Sequence, residues 1–240
     1  MLLFYIRHGD PIYQPDSLTP LGKREAEAVA KRLAAHGVDK IYSSTSNRAI
    51  ETAQPLCELL GKPLEQLEFA KETHAFHDFS VPKDDGSGNR CWAWSSSKYV
   101  ESFVSKEVRE LGDRWYEHPA FSKLNFRRGV ERVDKEADAW LASFGYEHDR
   151  QGHVYRAVAS NDQKIALFAH AGFGFAFLSS ILDIPYPAFC SHFDMRTSGM
   201  TVIDFRQRGD VVIPVVLTYS SDSHIYREGL PLFYNGAIRF

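Results

Sequence analysis

The chain has 240 residues, 44% hydrophobic and 25% charged, which excludes disordered and collagen-like classes and, at about 150 residues per domain, suggests one or two domains. Its net charge of −3 gives no reason to expect nucleic acid or an acidic membrane surface as a partner. Three scattered cysteines (Cys57, Cys91, Cys190) fit neither a disulfide framework nor a CxxC metal site, and with no apolar run of membrane-spanning length and no secretory signal the expectation is a soluble cytoplasmic protein.

Residues 2–6 are continuously apolar and stop at Arg7-His8-Gly9-Asp10-Pro11, the pattern of a strand buried on both faces that meets a turn. A helix is expected next. Thr19 is placed to cap it, Pro20 suits its first position and Gly37 its exit, with Leu21, Ala26, Val29, Ala30 and Leu33 at helical spacing. A short strand at 40–43 leads to a second helix over about 46–60, closed by Gly61 and expected to kink or restart at Pro55. Residues 67–71 read as a third short strand. This alternation predicts parallel strands, right-handed crossovers and helices covering the sheet.

From about 73 to 155 the alternation lapses. Residues 84–89 form a turn or loop, and residues 100–115 and 130–144 read as helices. Trp92, Trp94 and Trp115 fall here and are expected to form the core of an insertion. The basic residues Lys83, Arg90, Lys98 and Arg128 are expected in solvent, with one or two at a pocket mouth. His74, His77 and Asp78 are too loosely spaced for a metal site with no matching third ligand, so no metal is assigned. His192 and Asp194 read as loop or core-edge groups. Alternation returns with a strand at 164–169, a helix at 173–182 and strands at 201–205 and 211–219 around a hairpin-like turn at 207–210. Gly172-Phe173-Gly174 lacks the third glycine of a dinucleotide fingerprint. The last twenty residues have no clear periodicity. The expected fold is α/β: a three-layer αβα sandwich with a mostly parallel sheet, in one domain over 1–240 with an inserted lid at about 73–155.

Ligands of open α/β sheets bind beyond the carboxyl ends of the strands. There this chain offers Arg7-His8-Gly9, Ser43-Ser44 with Arg48 in the helix that follows, Glu72, and His170-Ala171-Gly172. Two guanidiniums can fork onto the nonbridging oxygens of a phosphoryl group, and a neutral histidine is a competent phosphorus nucleophile. Helix N-termini can add N–H donors, and a carboxylate can protonate a leaving oxygen and then activate water. The arginines and second histidine supply charge that Mg²⁺ supplies elsewhere, so neither metal nor cofactor is expected. The competing reading of Arg48 is a solvated helix residue paired with Glu51 or Glu25.

Ile6-Arg7-His8-Gly9, Leu18-Thr19-Pro20-Leu21-Gly22, Ser43-Ser44 with Arg48 and Thr52-Ala53, and Ala169-His170-Ala171-Gly172 together resemble the histidine phosphatase superfamily, also called phosphoglycerate mutase-like. The resemblance covers about residues 1–72 and 163–205. It implies that His8 becomes transiently phosphorylated, that Arg7, Arg48 and His170 hold the phosphoryl oxygens, and that an acidic residue after the third strand donates the proton. Glu72 fits that place best. Asp78 is the reserve, because Glu72-Thr73-His74-Ala75-Phe76-His77-Asp78 departs from the family's Glu-x-x-x-Gly form. Asp10-Pro11-Ile12-Tyr13 departs likewise from the Glu or Gln followed by Thr that often stands after the glycine. The implied function is metal-independent hydrolysis of a small phosphomonoester. The alternatives are a phosphoglycerate mutase-type phosphotransferase and a non-catalytic phospholigand binder. Substrate identity and oligomeric state stay open.

Overall fold

In chain order the elements are β1 (Leu2–Arg7), β2 (Pro11–Tyr13), β3 (Asp16–Leu18), α1 (Pro20–His36), β4 (Lys40–Ser44), α2 (Asn47–Leu60), β5 (Leu64–Leu67), α3 (Glu72–Phe79), β6 (Ser80–Pro82) and β7 (Arg90–Trp92). They continue as α4 (Ser97–Val104), α5 (Lys106–Leu111), α6 (Phe126–Ala142), β8 (Tyr146–Asp149), β9 (Val154–Ala157), β10 (Lys164–Ala169), α7 (Ala171–Ile181), α8 (Tyr186–His192), β11 (Met200–Arg208), β12 (Val211–Ser221) and α9 (Ser223–Arg227). The structure, a computed structural model, describes residues 1–159, 161–232 and 234. Part of the aperiodic C-terminal stretch therefore lies outside the described residues. No described helix is long and apolar enough to cross a membrane.

Eight strands form one sheet in the order β5-β4-β10-β1-β11-β12-β9-β8. The half from β5 to β1 is parallel, as the alternation predicts, and the half from β11 to β8 is antiparallel. Side chains of the central strands alternate between two apolar layers. Phe4 and Ile6 of β1 and Ala166 and Phe168 of β10 face Val29, Leu33, Ala53 and Leu56 of α1 and α2. Leu3, Tyr5, Ile165 and Leu167 face Trp140 and Leu141 of α6 and Phe173 and Phe177 of α7. Helices thus cover both faces, and the αβα sandwich is the observed fold.

Several local expectations are corrected. The third strand is β5, not 67–71: it pairs with β4 from Ile41↔Leu64 to Ser44↔Leu67 and stops where β4 stops. Past that point the Thr45 hydroxyl donates to Glu68 Oε2 at 2.7 Å, and Glu68–Ala70 turn into a 3₁₀ helix. Pro55 neither ends nor restarts α2, which continues through it at the loss of the one bond its missing N–H would make. The expected helix at 100–115 is two helices. Ser105 separates them, its hydroxyl accepting from the Val108 N–H at 3.3 Å as the cap of α5. The β2–β3 ribbon, α8, α9 and the β8–β9 edge were not legible, being short or only partly buried. Trp115 does lie in the core, between Phe103, Phe121 and Phe126.

The start of α1 is welded to the end of β1. Thr19 Oγ1 accepts from the Gly22 N–H at 3.0 Å and donates to Asp10 Oδ2 at 2.7 Å, while the Asp10 carbonyl accepts from the Thr19 N–H at 3.0 Å. The two backbones touch: a Cβ on Gly9 would stand 2.6 Å from the Gly22 carbonyl oxygen, and one on Gly22 would stand 2.2 Å from that of Asp10. Gly22→Ala is therefore expected to destabilise the protein by about 2 kcal/mol or more. Urea unfolding measures this, and an unchanged midpoint would contradict the close approach.

Candidate active site

β4, β10 and β1 lie side by side, and their register pairs Ser43 with Phe168 and Arg7 with Ala169. Their carboxyl ends therefore bring Ser44, His170 and His8 together at one edge of the sheet. The His8 N–H donates to the Ala169 carbonyl at 2.9 Å, and the Tyr5 hydroxyl donates to the His170 carbonyl at 2.6 Å. The two imidazoles stand edge to face with centroids 5.2 Å apart.

Arg48 reaches the same edge from the first turn of α2. Its Nη1 donates to Asp16 Oδ1 at 2.7 Å, its Nη2 lies 3.1 Å from His170 Nδ1, and the Tyr13 ring lies 5.5 Å from its guanidinium carbon. Asp16 Oδ2 also accepts from the Asn47 N–H at 2.9 Å, taking the capping role that the Ser46 side chain leaves unfilled. The ribbon β2–β3 thus grips the arginine. Glu51 and Glu25 do not pair with it: Glu51 accepts from the Leu18 N–H, and Glu25 is buried against Arg196 and the Asp10 N–H. Arg7, the last residue of β1, donates to the Met195 carbonyl.

A guanidinium only donates, so His170 Nδ1 accepts from Arg48 and the ring proton belongs on Nε2, which donates to Ser44 Oγ at 2.8 Å. A carbonyl only accepts, so His8 Nδ1, 2.7 Å from the Gly9 carbonyl, carries that ring's proton and leaves the lone pair on Nε2. Burial above all, reinforced by the neighbouring positive groups, holds both imidazoles well below the usual histidine range. Both are neutral at pH 7. His170 is fully buried behind the cleft, its ring nitrogens engaged by Arg48 and Ser44.

Glu72 opens α3 and faces this group across the cleft. Its two carboxylate oxygens accept from the N–H groups of Gly172 and Phe173 at 3.0 and 2.7 Å, in the first turn of α7. Burial raises its pKa; those bonds and the two arginines only partly offset this. Asp78 is placed elsewhere. It is buried on the far side of α3 against Arg128 and Arg132, whose bonds outweigh burial and hold its carboxyl below the usual range.

Arg7, His8, Arg48 and Glu72 line one cleft of about 830 Å³. Trp92 and Trp94 line it too, which corrects their reading as insertion core, and His192 and Asp194 line it from the end of α8 and the loop after it. Their placement comes from β7 pairing with β6 after α3 and from the chain beyond α7, and no local pattern signals it. Lys83, Arg90, Lys98 and Arg128 are not among the lining residues. His74 pairs with Glu68 and His77 lies beside Asp78. Asp16 and Tyr13, both missed, sit in a turn-like stretch that carries no signal of its role.

A sequence model of the histidine phosphatase superfamily (branch 1) matches residues 3–81. No curated protein matches. Among solved structures, the phosphoserine phosphatase of Entamoeba histolytica superposes with a TM-score of 0.56 at 20% identity, covering 93% of this chain and 98% of that one. The mycobacterial glucosyl-3-phosphoglycerate phosphatase superposes with a TM-score of 0.58 at 16% identity, covering 92% of this chain and 99% of that one. Residues 3–81 thus match the histidine phosphatase superfamily (branch 1), and the fold is shared with these two proteins along nearly its whole length.

Proposed function

We propose that the protein is a phosphomonoester hydrolase that works through a phosphohistidine on His8 and needs no metal. The observation that carries this reading is the state of His8. It is neutral, its Nδ1–H is committed to the Gly9 carbonyl, and its remaining lone pair sits in a cleft with two arginines and a carboxyl group of raised pKa. Nε2 attacks phosphorus, the N–P bond forms and the ester P–O bond breaks, while Glu72 passes its proton to the departing alcohol oxygen. Water then attacks the phosphoryl group, the N–P bond breaks, and the Glu72 carboxylate takes the water's proton as phosphate forms. Arg7 and Arg48 balance the charge of the transferring group, the work a metal ion does in other phosphoryl-transfer sites. His170 positions Arg48 and backs His8. The stretch over about 73–155 lies within one domain and forms the lid, with Phe76, Trp92 and Trp94 among its contributions to the cleft. That the two structural neighbours are phosphatases supports the hydrolase reading over a mutase.

His8→Ala is expected to lower turnover of p-nitrophenyl phosphate at least about 10³-fold with the circular dichroism spectrum unchanged. Acid-labile phosphate on the wild-type chain, trapped by rapid quench and found by mass spectrometry, should map to His8; substantial turnover by the variant would refute the nucleophile.

Glu72→Gln should slow an alkyl phosphate by about 10²–10⁴-fold and p-nitrophenyl phosphate far less, because p-nitrophenolate leaves without a proton. The pH dependence has a defined sign. Glu72 must start protonated, so kcat/KM for the alkyl ester declines as pH rises through its raised pKa, and the variant lacks that limb. His8 adds no limb near 6.5, since its pKa lies well below. An equal loss on both substrates would point to a merely structural carboxylate.

Asp16→Ala releases one edge of Arg48 and is expected to lower kcat/KM about tenfold, roughly the worth of one charge-assisted hydrogen bond. Steady-state kinetics at matched ionic strength test it; unchanged kinetics would mean that His170 alone positions the guanidinium.

A further inference from the structure

Away from Arg7 and Arg48, the cleft has no fixed positive charge: among the described residues that line it there is no lysine and no third arginine. Its wall there is built of rings instead. Trp92 and Trp94 stack with centroids 4.4 Å apart and 16° between planes, Phe76 meets Trp92 edge-on at 5.0 Å, and Phe175 meets Trp94 at 4.9 Å. The two tryptophans and Phe76 are only half-buried and line the cleft, so part of each ring is exposed to a ligand.

The position of this wall relative to Glu72 is set by the first turn of α7. Gly172, whose N–H holds Glu72 Oε1, lies directly under Trp92. A Cβ at that position would stand 2.2 Å from Trp92 Cη2 and 2.9 Å from Glu72 Oε1. Phe76 follows Glu72 by one turn on the same face of α3. The oxygen that Glu72 protonates, and the carbon skeleton attached to it, therefore meet these rings first.

We infer that the cleft selects phosphomonoesters whose alcohol carries a flat, uncharged ring system over those whose alcohol carries a carboxylate. The inference rests on the phosphatase reading of His8 and Glu72. A flat ring laid against Trp92 and Trp94 buries apolar area and gains ring–ring contact. A carboxylate in the same place loses water among aromatic walls, meets no cation and lies near Glu72. The volume of about 830 Å³ holds a phosphoryl group and a bicyclic body together. His192 and Asp194, also on the lining, are exposed and leave the ring wall apolar.

The test compares kcat/KM for 2-(1-naphthyl)ethyl phosphate, butyl phosphate and 3-phosphoglycerate. All three release an alkyl alcohol, so the ring, and not leaving-group reactivity, sets the order. The naphthyl ester is expected to exceed butyl phosphate by about tenfold or more, with 3-phosphoglycerate slowest. Trp94→Leu should bring the naphthyl-to-butyl ratio close to one, and Trp94→Phe should keep most of it. Should the leucine variant fail to fold, the wild-type order and the phenylalanine variant decide. A wild-type preference for 3-phosphoglycerate, equal values for the two uncharged esters, or a ratio unmoved by Trp94→Leu overturns the inference while turnover still depends on His8. Turnover of all three esters by His8→Ala strikes the phosphatase reading instead.

Discussion

Two guanidiniums and two imidazoles share one buried corner of the sheet, and burial beside that positive charge sets the state of both rings. Burial first, and the neighbouring positive groups after it, hold His8 and His170 neutral. Each ring then has one donor and one acceptor nitrogen, and the neighbours assign them: Arg48 can only give to His170, and the Gly9 carbonyl can only take from His8. A neutral His8 with a directed lone pair follows from burying it beside cations. The same cations prepare the corner for an anion of the size and charge of a phosphoryl group.

The corner is held by backbone as much as by side chains. The end of β1 is locked to the start of α1 through the contact of Gly9 with Gly22 and the Thr19–Asp10 bonds. Glu72 is locked to the start of α7 by two N–H groups, and α7 begins at His170. His8, the two arginines and the Glu72 carboxyl group thus hang from adjoining strand ends and the helices that leave them, where small displacements are resisted by the packed layers beneath. The asymmetry of the cleft has the same origin. Charge is concentrated where parallel strands end, and the tryptophans of the ring wall come from the segment laid over that edge, so cations and rings stand in different parts of the cleft.

The parallel half of the fold and the set Arg7, His8, Arg48, Glu72 and His170 were readable in the amino-acid sequence, for a local reason. A strand buried on both faces must be continuously apolar, a helix on the sheet must repeat every three to four residues, and ligand-facing groups must stand where each strand ends. What the tertiary structure decided were pairings between residues with no local relation. Asp16 and not Glu51 holds Arg48, because the ribbon folds back over the start of α2. Asp78, six residues from Glu72, turns to Arg128 and Arg132 on the other side of α3, because a helix sends residues at that spacing to different faces. Trp92 and Trp94 reach the cleft while Trp115 enters the core, although all three sit in similar sequence, because β7 pairs with β6 beside the start of α7. Periodicity records what each residue must face; only long-range packing determines which partner it meets there.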